Sequence, residues 1–225
     1  MKLRHRLRRV SSRSWAGWPA EAYAQMQYQQ RLLAVQEHLR GILKDSPAGP
    51  LRLISMCAGD GRDVIGTVRT HVRRGDVSAW LVELDRQSVA AGIQEASIAG
   101  LECAVNFINA DATEYGTYLG VAPADIVLAC GVWGHVPAHE RESLARALAA
   151  LCKPRGTVTW TRGVSSGLAR LNEIAVLFAR SDWENVRTTI TADKKWAVAT
   201  YCYAGPLVEL PEMGRIFNFQ RHAGR

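Results

Sequence analysis

The sequence lacks several things that narrow the field. No apolar run approaches the ~18 residues that a membrane-spanning helix needs, so no membrane partner is expected. The first stretch holds no signal-like apolar core, because arginines interrupt every apolar pair up to Arg13. Its 5 cysteines, Cys57, Cys103, Cys130, Cys152 and Cys202, form an odd set with no CxxC pair, which argues against a disulfide framework or a zinc site. Reduced, mostly packed thiols in a cytoplasmic protein are the expectation. There is no internal repeat, low-complexity block or second-domain linker in the 225 residues, and one α/β domain with a large core is the default at this length.

Acids are missing from residues 1–13, which carry Lys2, Arg4, Arg6, Arg8, Arg9 and Arg13. The net charge of +7 therefore sits mainly in an arm: without those six, 22 cations face 21 acids. A nucleic-acid enzyme usually has a basic patch on its folded body as well, so nucleic acid is not the expected partner. The plain reading of the arm is a solvated tail. A contact with RNA, an anionic substrate or a partner surface is its alternative.

What is present is alternation. Residues 14–50 read as a helical cap: a turn holding Trp15 and Trp18, then a helix over 20–44 with Met26, Leu32, Leu33, Val35, Leu39, Ile42 and Leu43 approximating one face. From 51 the pattern gives strands at 51–56, 78–84, 103–108, 125–130 and 156–161. Between them lie helices near 61–73, 86–98 and 138–151 and a short one near 112–119. The strands are apolar on both sides, the mark of a parallel sheet covered on both faces. A helix near 166–180 precedes two β-rich segments, 185–191 and 195–203, joined by Ala192-Asp-Lys194 as a hairpin.

Chemistry-bearing residues gather at the strand ends. Leu51-Arg-Leu-Ile-Ser-Met-Cys-Ala-Gly-Asp-Gly-Arg62 is a strand, a small-residue loop and a helix start, a design that admits a nucleotide-like ligand close to the backbone. Val82-Glu-Leu-Asp85, Asn109-Ala-Asp-Ala112 and Cys130-Gly-Val-Trp-Gly-His135 close the next three strands. Four such ends in order resemble the class I S-adenosylmethionine-dependent methyltransferases. The wording of the first loop is also similar to small, uncharacterised bacterial members of that superfamily.

The resemblance implies a Rossmann-like, mostly parallel seven-stranded sheet with a C-terminal antiparallel hairpin, helices on both faces and an N-terminal helical lid. The S-adenosylmethionine-binding domain would span 51–225. It implies S-adenosylmethionine as cofactor, held by Cys57, Ala58, Gly59 and Asp60 in the first loop. Glu83 would take the ribose hydroxyls, Leu84 and Ala112 the faces of the purine, Asp111 the adenine amino group, and Cys130 and Gly131 would face the methyl group and the acceptor. Asp85 is expected to cap the next helix.

The usual acid of the first strand is Ser55 here, and the first glycine of the loop is Cys57. That departure leaves open what pairs with the α-ammonium. Asp60 is one choice, and its alternative is a helix cap.

Asn/Asp-Pro-Pro-Tyr is absent, which argues against methylation of an adenine amino group in nucleic acid. Pro-Cys is absent too, so Cys130 reads as a packed thiol. His135 is the candidate general base, with Tyr23 as a second. Trp15, Trp18, Trp133, Trp160 and Arg162 are expected to bind a small-molecule substrate under the lid, where Gln27 is a further candidate, and each tryptophan has ordinary packing as its alternative. His135, His139 and Glu140 lack further ligands around them, so no metal is expected. The implied activity is methyl transfer to an O, N or C atom of a small molecule, with bacterial secondary metabolism as the implied setting. Two rival readings stand beside it. One is a non-methylating enzyme that opens the sulfonium at its carboxypropyl carbon and releases methylthioadenosine. The other is an RNA or protein methyltransferase using the arm.

Overall fold

The computed structural model describes residues 26–164 and 167–219, the side chains of Met26 and Gln27 excepted. Trp15, Trp18 and Tyr23 lie outside the described residues, as do the arm and the turn that follows it.

Seven strands form one sheet: β1 (Leu51–Met56), β2 (Val77–Glu83), β3 (Val105–Asn109), β4 (Ala124–Ala129), β5 (Cys152–Gly163), β6 (Trp183–Ile190) and β7 (Trp196–Tyr203). Their order is β3-β2-β1-β4-β5-β7-β6. The first five run parallel, and β7 is antiparallel to both β5 and β6. Strand order reverses between β1 and β4, which sets a crevice at their carboxyl ends.

Among the described residues five α-helices cover the sheet: α1 (Met26–Asp45), α2 (Arg62–Val68), α3 (Arg86–Ile98), α4 (Arg141–Leu151) and α5 (Ala169–Ala179). The period-2 pleat divides them. Leu51 and Leu53 of β1, Leu81 of β2 and Ile126 of β4 pack with α1, α2 and α3 through Leu39, Leu43, Val64, Val68 and Ala96. Ile54 and Met56 of β1 and Val127 of β4 point the other way, onto Leu144 and Leu148 of α4 and Ile174 and Phe178 of α5. Both layers are sealed from water, the arrangement expected of two-sided apolar strands.

Several local expectations shift. The helix begun at Arg62 stops at Val68, and 69–76 form successive turns in which His71, Arg74 and Asp76 donate backbone bonds three residues back. The segment near 112–119 is a single 3-10 turn, Tyr115–Tyr118. α3 is capped by Asp85, which accepts from the Ser88 amide at 2.9 Å. α1 buries most of the expected face, with Val35, Leu39 and Leu43 inside and Leu32 and Ile42 half-buried, but the stripe extends over polar residues that its leucines did not mark. Leu33 is exposed, whereas Arg31, Ala34, Val35, His38 and Leu39 are buried. His38 is accommodated because Thr200 and Thr189 meet its two ring nitrogens at 2.8 and 2.9 Å. Burial, reinforced by the nearby Arg187 charge, lowers its pKa to about 4, so it packs neutral against β7.

Candidate functional site

The first loop keeps the conformation of a glycine loop without all of its glycines. Cys57, Gly59 and Gly61 all have positive φ, at 50, 59 and 71°. Gly61 is required by packing, since a Cβ there would lie 2.4 Å from Leu81 Cδ2. A Cβ on Gly59 would meet nothing within 4 Å, so open space stands directly above the loop. The Gly59 amide donates to Glu83 Oε2 at 2.8 Å, and the Asp85 amide donates to Oε1 at 2.9 Å. Glu83 thus ties the loop after β1 to the loop after β2.

Asp111 stands on the next strand end. Its Oδ1 accepts from the Thr113 amide and hydroxyl at 2.9 and 2.7 Å. Its Oδ2 faces Arg215 Nη2 at 3.3 Å. Asp111 therefore closes its own turn and also carries an outward-facing oxygen. Leu84 is exposed and Ala112 buried. Cys57 brings the group together: burial raises its thiol pKa far above the usual range, and the Glu83 and Asp111 charges add to that. Glu83, Asp111, Leu84 and the glycine loop thus share one end of the sheet.

Asp60 is not the cap of α2. Gly61 occupies that position without a side-chain cap, and Asp60 pairs with Arg62 at 2.5 Å. Asp63 is the acid that sequence reading missed. It sits in the first turn of α2, where burial raises its pKa, the Arg31 charge lowers it and Asp60 raises it further. Its own charge is felt by Cys130, whose buried thiol is pushed far above the ordinary range. Cys130 is an inert packed thiol, with Sγ 3.9 Å from the Thr159 carbonyl.

Beyond β4 lies a cavity of about 230 Å³ lined by Arg31, Gly131, Gly134, His135, Arg162 and Trp196, among others. The Gly131 amide is held by Thr161 Oγ1 at 2.8 Å. His135 and Arg162 both line this cavity. Trp133 and Trp160 do not. Both are fully buried, with ring centroids 5.8 Å apart and Phe178 packed against each. Their expected role in lining a substrate pocket is corrected to core packing, because α5 delivers Phe178 onto the face from which they project. Arg31 is the wall residue that its place on a helix did not reveal.

A C-terminal segment also crosses this edge and carried no sequence signal. The Tyr115 amide donates to Gly214 O at 3.0 Å, and the Ile216 amide to Thr113 O at 2.7 Å. Asn218 then binds Glu140 through its amide and side chain, and Phe219 approaches the His135 ring at 6.4 Å. The segment 214–219 spans from the Asp111 turn to the His135 loop.

Among the described residues no helix is long and apolar enough to cross a membrane, and no group of three or more His, Cys, Asp and Glu side chains is placed to hold a metal. No protein-family model and no curated protein matches the sequence. Solved structures do. The chain is similar to an O-methyltransferase family protein from Burkholderia thailandensis, with 15% identity and a TM-score of 0.62 over 78% of this chain. That match spans only 56% of the Burkholderia protein. A magnesium protoporphyrin IX methyltransferase from Synechocystis with bound S-adenosylmethionine matches at 14% identity and a TM-score of 0.59, covering 77% of this chain and 79% of that one. The cyclase SpnF matches at 13% identity and a TM-score of 0.57, covering 76% and 81%. With its strand order and C-terminal antiparallel pair, the chain has the class I methyltransferase fold.

Proposed function

We propose that the protein is an enzyme that transfers a methyl group from S-adenosylmethionine to a small molecule. The observation that carries this reading is the Glu83–Gly59 hydrogen bond at the sheet's switch point, with open space above Gly59 and Asp111 on the neighbouring strand end. The donor set fits the cofactor. Each Glu83 oxygen accepts one amide and keeps acceptor capacity for a ribose hydroxyl. Asp111 Oδ2 suits an amino group, and Leu84 offers an exposed apolar face to a purine. Asp63 takes the α-ammonium in place of the acid missing at Ser55, since Asp60 is committed to Arg62.

S-adenosylmethionine, when bound, supplies a methyl group activated by its own sulfonium. The protein's part is to orient the acceptor, exclude water and remove a proton where the acceptor holds one. His135, on the wall of the cavity beyond β4, is the base in this reading. Residues 14–50 serve as a cap over the site and 51–225 as the cofactor-binding domain.

Titration calorimetry with S-adenosylmethionine and S-adenosylhomocysteine tests the cofactor, and absence of binding by either overturns the reading. Product analysis then separates the chemistries. S-adenosylhomocysteine marks methyl transfer. Methylthioadenosine would mark carboxypropyl chemistry, the second reading, which the altered first loop supports.

A further inference from the structure

The cavity beyond β4 holds a charge that no carboxylate among the described residues pairs with. Arg162 is 5% exposed. Among the described residues its one hydrogen bond runs from Nη1 to the Trp133 carbonyl at 2.6 Å, and no carboxylate pairs with it. A guanidinium carries five N–H donors and does not deprotonate. Neither of its other nitrogens is a sealed, unpartnered atom, so they retain accessible surface, and the residue lines the cavity.

The surroundings add positive charge. Burial lowers the Arg162 pKa, and Arg141 and Arg170 lower it further. Glu173 offsets this in part, but both of its oxygens are engaged by Arg141 at 3.1 Å. In the same lining, the Arg31 guanidinium lies 5.1 Å from the Trp196 ring and 5.7 Å from the Tyr28 ring. Stacking on aromatic faces fixes its direction. Two glycines make the room: a Cβ on Gly131 would stand 3.4 Å from Arg31 Nη1, and one on Gly134 3.4 Å from Arg162 Nη1.

A buried cation without a counter-charge is costly, and an oxyanion that accepts two parallel N–H bonds from a guanidinium relieves that cost. We propose that this cavity binds the anionic head of the acceptor, so that the substrate is a small acid carrying a carboxylate or phosphate group. Arg162 grips that head, Arg31 adds charge from elsewhere in the lining, and His135 stands at the same cavity to serve a neighbouring hydroxyl or amine. This rests on the methyltransferase reading for the identity of the reaction, but the anion site itself does not.

The full-length protein is titrated with benzoate, phenyl phosphate and the neutral isostere benzamide, with and without saturating S-adenosylhomocysteine. We expect one or both anions to bind at least tenfold more tightly than benzamide. Arg162→Gln should abolish anion binding, Arg162→Lys should retain part of it, and both should leave S-adenosylhomocysteine affinity within about twofold. The lysine variant covers the case in which the glutamine variant does not fold. Equal binding of benzamide and the anions, no binding of either anion, or anion binding indifferent to both variants would overturn the proposal. So would a loss of S-adenosylhomocysteine affinity in either Arg162 variant matching its loss of anion affinity. In that case the carboxylate read by Arg162 is the cofactor's own. Failure of S-adenosylhomocysteine to bind, with the anion results intact, sinks the methyltransferase reading and leaves the anion site standing.

Discussion

Glu83 at the end of β2 receives the amide of Gly59 from the loop after β1 at 2.8 Å, while its second oxygen receives the amide of Asp85. One carboxylate therefore sets the spacing of two loops that flank the crevice. Glu83→Ala removes both acceptors. It should lower stability by roughly 1–3 kcal/mol and weaken S-adenosylhomocysteine binding by about tenfold or more. Glu83→Gln, which keeps one acceptor oxygen, should lie between. Denaturant melts and calorimetry measure the two effects separately. Unchanged cofactor affinity in the alanine variant would remove the ribose role while leaving the structural one.

Cys57 adopts φ 50°, a left-handed conformation that costs a non-glycine residue roughly 1–2 kcal/mol. Its side chain recovers some of that by packing against the core beside Met56 and Val82. Cys57→Gly should therefore be close to neutral, within about 1 kcal/mol, because relieved strain offsets lost burial. Cys57→Val should cost more than about 2 kcal/mol, since a β-branched residue tolerates positive φ poorly. Equal stability of the two variants would refute strain at this position.

His38 gives the protein a pH-dependent dock for α1. Its folded pKa, about 4, lies below the ordinary 6.5. The unfolded chain therefore takes up a proton first as pH falls, and stability drops between pH 6.5 and about 4. Discounted for solvent screening, the loss is on the order of 2 kcal/mol. Asp63 acts with the opposite sign, because its raised pKa lets the folded state bind a proton before the unfolded one. Thermal melts of His38→Gln should show a shallower decline across that window than the parent protein. An identical slope would place the titration elsewhere.

How much of this was legible follows the range of the interactions. The strand ends were readable because strand, turn and cap are local: Glu83, Asp85 and Asp111 stand where their short motifs imply. The apolar part of the buried face of α1 was readable in Val35, Leu39 and Leu43; its polar part was not, because His38 is accommodated by Thr189 and Thr200, more than 150 residues away, and no local pattern announces such partners. Leucine counting selected Leu33, which faces solvent. Trp133 and Trp160 were read by residue type alone. Their direction is decided by Phe178 and Tyr201, which close over them from α5 and β7. Asp63 lay in full view beside Asp60, but which of the two acids pairs with Arg62 is a matter of side-chain geometry.

The strap 214–219 has neither helical nor strand periodicity, yet it ties two parts of the site. Ile216 and Phe217 are each 2% exposed. Phe217 also meets Phe219 edge-on at 5.0 Å, and Phe219 in turn faces His135. Phe217→Ala should cost about 3 kcal/mol or more, the range for removing a buried aromatic side chain. Arg215 lies partly exposed and bonds Thr113 and Glu114 at 2.9 Å as well as Asp111. Arg215→Ala should cost less than about 1 kcal/mol, as exposed ion pairs do. The two variants should part in function as well. Loss of Arg215 frees Asp111 Oδ2 and should leave S-adenosylhomocysteine affinity unchanged or slightly raised, whereas loss of Phe217 loosens the His135 side and should impair anion binding in the cavity. Calorimetry on both variants with S-adenosylhomocysteine and benzoate checks this. A fall in S-adenosylhomocysteine affinity on losing Arg215 would mean that the arginine, through Asp111, holds the adenine side of the site in shape.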